Sequence, residues 1–146
     1  MEKCILKFCR IVDSLWLKKE DAPSQEYIEL CKEISKEIGA LIGFEGRYRW
    51  IVFLPSKTCE GVPVLNRYYG VFENGKIKVR GVEARRRDTP NFIREAQLEM
   101  IKALSKAKNA EEFKKTFPHA LDVLKKYAKE LAQKTVQAED LSLIHI

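Results

Sequence analysis

A chain of 146 residues, 45% hydrophobic and 33% charged, is long enough for one domain with a real core, which excludes wholesale disorder. Lys and Arg number 27 against 21 Asp and Glu, and the net charge of +6 permits nucleic-acid binding without requiring it. No apolar run reaches the roughly 18 residues of a membrane span, and the N-terminus lacks a long secretory apolar region, so a cytoplasmic protein with no membrane partner is expected.

Residues 4–9 and 14–17 read as two strands around a tight connection that carries Asp13. Pro23 or Ser24 then opens a helix. Its apolar face is Tyr27, Ile28, Cys31, Ile34, Ile38 and Leu41, its charged face Glu29, Lys32, Glu33, Lys36 and Glu37, and Gly39 and Gly43 mark its end. A strand over 48–54 stops at Pro55, and a loop runs over 56–63.

Residues 67–73 and 76–82 flank Asn74-Gly75, the signature of a two-residue type I′ hairpin turn. Such a turn sets Glu73 opposite Lys76, Val71 opposite Lys78 and Tyr69 opposite Arg80. Lys76, Lys78 and Arg80 then line one face, with Phe72, Ile77 and Val79 on the other, pointing into the core.

Arg85-Arg86-Arg87-Asp88 follows, and Thr89 is placed to cap a helix that has Pro90 in its first position. Ile93, Ala96, Met100, Ala103, Leu104 and Ala107 form that helix's apolar face. Asn109-Ala110-Glu111-Glu112 resembles a capping box. Pro118 interrupts, and Leu121, Leu124, Ala128 and Leu131 carry a further helix. Residues 141–146 read as a short strand. Strands with one helix first, then helices, define an α+β class.

Cys4, Cys9, Cys31 and Cys59 include no CxxC pair, which argues against a zinc site, and a disulfide framework does not suit this chain. His119 and His145 are too few and too far apart for histidine chemistry. The charge is concentrated. Over residues 76–94, seven cations against Glu83 and Asp88 leave +5 of the total +6. A basic hairpin face running into an arginine triplet is a footprint for phosphates, and arginine's planar fork suits them. A solvated strand edge guarded by lysines is the plainer alternative. Asp13 is either an exposed turn residue or a metal ligand.

Several of these pieces resemble one family. Ile11-Val12-Asp13-Ser14-Leu15-Trp16 resembles the Asp-Thr-Asp-Ser hairpin of family B DNA polymerases. Arg67-Tyr68 resembles the end of the Lys-Lys-x-Tyr segment that touches primer-template DNA. Gly81-Val82-Glu83-Ala84-Arg85-Arg86-Arg87-Asp88 resembles the Gly-x-Glu-x-x-Arg-Arg-Asp segment that closes the palm. Their order and spacing fit the archaeal branch. The first hairpin aspartate falls on Ile11, the second on Asp13. The two lysines of the DNA-binding segment fall on Leu65 and Asn66.

The resemblance implies an antiparallel palm-like sheet with a packed helix over residues 1–88, then palm-to-thumb helices over 89–146. It implies a carboxy-terminal palm piece with the start of the thumb, and double-stranded DNA as partner. Arg67, Tyr68, Lys76, Lys78, Arg80, Arg85, Arg86 and Arg87 would contact the duplex. One arginine of the triplet would instead pair with Glu83 or Asp88. Asp13 would be the catalytic, metal-binding position, acting only in complex. Mg2+ would enter only in an assembled polymerase, because one carboxylate cannot clamp two ions. The chain alone is therefore expected not to polymerise. The apolar residues 4–17 are expected to meet a large polymerase-like chain or a second copy. A non-catalytic DNA-binding module descended from a polymerase, and a basic α+β protein that binds RNA or protein, are the alternatives.

Overall fold

The structure is a computed structural model that describes residues 9–11, 14–19, 21–56, 58–59 and 61–142. It is α+β, with an antiparallel three-stranded sheet and several helices. It divides into two compact units, Met1–Arg47 and Tyr48–Ile146. The sheet and helices of the second unit share a core.

In the first unit, β1 (Cys9–Ile11) pairs antiparallel with β2 (Ser14–Trp16), Arg10 opposite Leu15. Asp13 and residues 4–8 of the expected first strand lie outside the described residues. Helix α1 (Ser24–Ile38) follows Pro23 and ends on Gly39 in the left-handed conformation. Its charged face is exposed as the spacing predicts. Its apolar face is only half-buried, and no α1 residue is fully buried. Leu41 falls beyond the helix and is almost wholly exposed. The Ser35 hydroxyl donates to Cys31 O and accepts from Ile42 N, and Tyr27 stacks on Phe44, which fold the exit back on the helix.

The second unit begins with a meander of β3 (Tyr48–Pro55), β4 (Pro63–Phe72) and β5 (Ile77–Arg80), so among the described residues β3 and β5 are its edges. Arg49 is an extra residue between the Tyr48–Phe72 and Trp50–Val71 pairs. This bulge puts Tyr48 and Trp50 on opposite faces. One face carries Trp50, Val52, Tyr69, Val71 and Ile77 against the helices. The other carries Tyr48 stacked on Phe72 at 4.2 Å and Phe53 against Tyr68 at 5.5 Å.

The hairpin between β4 and β5 differs from expectation by one residue. Tyr68 faces Arg80, Tyr69 faces Val79, Gly70 faces Lys78 and Val71 faces Ile77. The loop holds three residues, because Phe72 N donates to Lys76 O and Gly75 N donates to Phe72 O. Gly75 has φ +84°, whereas Asn74 is not among the residues with positive φ. A type I′ turn needs positive φ at both central positions, so the loop is a type I turn closed by a glycine bulge. The Asn74 side chain accepts from Lys76 N rather than twisting its own backbone. Lys78 and Arg80 still share a face, but Phe72 joins them there, and Val71 and Tyr69 join Ile77 and Val79.

Helix α2 (Asn91–Leu104) starts one residue later than expected, with Pro90 rather than Thr89 at the cap position and no side-chain cap. Thr89 is buried instead. The helix buries Phe92, Ala96, Ile101 and Leu104, while Ile93 of the expected face is exposed. At α3 (Ala110–Phe113) Asn109 accepts from Glu112 N as expected, and the Glu112 carboxylate reaches Lys108 N. Pro118 sits in the first turn of α4 (Phe117–Ala132), where a missing N–H leaves no bond unmade, so it opens a helix rather than breaking one. The face turned inward is Ala120, half-buried Val123 and Tyr127, not the leucines. Leu141, expected in a strand, ends α5 (Ala138–Leu141), and residues 143–146 lie outside the described set.

Two clusters hold the second unit. Trp50, Val71, Leu104, Ala107 and Ala120 join sheet to helices. Phe92, Ala96 and Tyr127 join α2 to α4. Among the described residues no helix is long and apolar enough to cross a membrane.

Candidate nucleic-acid interface

β5 emerges from the hairpin with Lys78 and Arg80 on the face of Tyr68, and exposed Lys76 precedes it. Gly81 then turns the chain at φ +64°, into a 3-10 turn over Glu83–Arg85. A Cβ on Gly81 would lie 2.0 Å from Asn66 O, so no other residue fits without backbone movement. Val82 and Ala84 are buried and pin the segment from below.

Polar contacts hold it from the side. Arg67 Nε donates to Gly81 O at 3.0 Å, and Arg67 Nη2 to Glu83 Oε1 at 2.9 Å. Gln97 Nε2 donates to Glu83 Oε2 at 3.1 Å, and Gln97 Oε1 accepts from Ala84 N at 2.5 Å. Arg67 is therefore occupied in clamping the exit of β5. Tyr68 is 0% exposed, its ring against Phe53 at 5.5 Å.

Within the triplet, Arg86 takes Asp88 in a fork, Nε to Oδ1 at 2.8 Å and Nη2 to Oδ2 at 2.5 Å. Arg94 Nη2 donates to Arg86 O at 3.1 Å. Arg86 is thus the member that pairs with an acid. The hydrogen bonds from Arg86 hold the Asp88 carboxyl below the usual carboxylate range. A depressed value means that the pairing is complete above the ordinary carboxylate pKa and is lost as pH falls through the lower one. An NMR titration should give Asp88 a midpoint below about 3.9, and Arg86→Ala should raise it. An unchanged midpoint in that variant would show that the fork does not persist in solution.

Arg85 and Arg87 stand exposed. Arg85 lines a cavity of about 210 Å³ with Ile77, Val79, Leu98, Ile101 and Lys102. It therefore lies on the helix side of β5, whereas Lys78 and Arg80 lie on the other. The basic groups wrap the edge strand instead of lining one face. Lys102 was missed from sequence because it sits in the last turn of α2, remote from the charge run. Arg49 was missed as well; its Nε donates to Phe72 O beside the hairpin loop, a placement made by the bulge.

Asp13 lies outside the described residues. Among the described residues no three His, Cys, Asp or Glu side chains converge on a metal-sized site.

No protein-family profile matches the chain. The chain is similar to a DNA polymerase of Archaeoglobus fulgidus, 28% identical over 99 residues. That stretch is 68% of this chain and 12% of the polymerase, so the chain spans a small part of that relative's length. The similarity supports a polymerase-like relationship.

Proposed function

We infer that the chain is a family B palm-like element that grips duplex DNA by its phosphates, with little regard to sequence, and does not polymerise by itself. One observation carries this reading. Lys76, Lys78, Arg80, Arg85 and Arg87 surround one short strand and its exit turn. The similarity to a polymerase supports duplex DNA as the polyanion. A large polymerase-like chain or a second copy, met through residues 4–17, belongs to the same proposal; in that stretch the Leu15 side chain is exposed.

Five phosphate contacts give a log–log salt slope of about −4.5 for a labelled duplex. Arg85→Ala with Arg87→Ala should weaken binding equally on unrelated sequences and flatten the slope by about 1.8. Fluorescence anisotropy across a salt series measures both. A slope near zero, or one that the double variant leaves unchanged, would overturn the reading.

A further inference from the structure

Helix α4 buries Ala120 and Tyr127, half-buries Val123, and turns a second apolar stripe to solvent. Phe117, Leu121, Leu124 and Leu131 are 46%, 51%, 45% and 45% exposed, and Ala128 is exposed between the last two. Their spacings are four, three, four and three. That is the alternation of a coiled-coil seam. The helix has 16 residues, so the stripe forms a ridge about 24 Å long. Phe113 extends it through a ring contact of 5.1 Å with Phe117. Scattered exposed leucines need no explanation, but a continuous seam marks a surface that is covered.

Charge beside the seam selects the occupant. One flank is the helix's own core. The other carries Lys125 and Lys129, and the Lys125 side chain is 78% exposed, 3.8 Å from Asp122. A second copy crossing on a two-fold axis would bring lysine against lysine, at a cost. We propose that the exposed seam of α4 docks an amphipathic helix of another protein, with an apolar heptad face and acidic residues set against Lys125 and Lys129. This inference is independent of the DNA reading.

The probes are two synthetic peptides with one leucine heptad seam, flanked by glutamate in the first and lysine in the second. The intact chain should bind the glutamate peptide about tenfold more tightly, since exposed charge pairs contribute modestly and like pairs oppose. Lys125→Glu with Lys129→Glu, both on exposed positions, should reverse the preference. Leu124→Ser should weaken the glutamate peptide about tenfold, and circular dichroism checks that this variant folds. No binding, equal binding of the two peptides, or a preference that the charge reversal leaves intact would overturn the proposal. Dimerisation in sedimentation that Leu124→Ser abolishes would also overturn it, by making the occupant a second copy.

Discussion

Trp50→Ala is expected to destabilise the second unit by about 3–5 kcal/mol, the usual cost of truncating a buried aromatic. Trp50 stands where sheet and helices meet. Its ring packs on Phe113 at 4.7 Å and meets Tyr69 edge-on at 6.1 Å. Its indole Nε1 donates to Ala107 O at 3.1 Å, in a buried setting. Alanine removes the ring contacts and strands a buried carbonyl, and each loss adds to the other. Total stabilities of single domains are about 5–15 kcal/mol, so the variant approaches the folding limit. Trp50→Phe separates the contributions. It keeps most of the packing and loses the hydrogen bond, for an expected cost of about 1–3 kcal/mol. Urea unfolding followed by circular dichroism measures both. A Trp50→Ala cost below about 1 kcal/mol would mean that the indole is not at the centre of the core.

Gly81→Ala is expected to cost about 3 kcal/mol or more, from two sources. The left-handed conformation at φ +64° opposes any side chain by about 1–2 kcal/mol. The new methyl also meets the Asn66 carbonyl at 2.0 Å, and backbone cannot swing aside as a flexible side chain does. Gly75→Ala is the control. It shares the left-handed conformation, but its nearest neighbour is Arg49 Nη2 at 3.3 Å, which can move. It should cost only the conformational part, about 1–2 kcal/mol. The difference between the two variants in urea isolates the close approach at Gly81. Equal costs would show that β4 and the exit of β5 are not in contact there. Because Arg85 and Arg87 follow this turn, Gly81→Ala should also weaken duplex binding without altering any charge.

The α+β class, the hairpin over β4 and β5, the start of α1 and the Asn109 cap were legible because each rests on local signals: periodicity, a glycine or a capping side chain. The register of the hairpin was not. Asn74-Gly75 fits a two-residue and a three-residue loop alike, and packing of Val71 against the helices decides between them. The buried face of α4 was misread for a related reason. Leu121, Leu124 and Leu131 outrank Ala120 in hydrophobicity, but the close approach of α4 to the sheet core is made through the small side chain. At the basic site, sequence located the charge and left the roles of the arginines open. Arg67, sixteen residues from Glu83, meets it only because the sheet brings them together. Arg86 meets Asp88 two residues away, an alternative already visible in the chain.

The hydrogen bond from Trp50 to Ala107 also bears on the order of folding. The three strands form a meander, each paired with its sequence neighbour, so the sheet can assemble from short loop closures. The indole reaches a carbonyl 57 positions away. Closing a flexible loop of that length costs about 3.6 kcal/mol of chain entropy before its contacts compensate. The sheet is therefore expected to form early and helix docking to come late. Changes in the Asn74-Gly75 loop then act mainly on the rate of folding. Changes at the Trp50–Ala107 junction act mainly on the rate of unfolding, which governs the lifetime of the native chain.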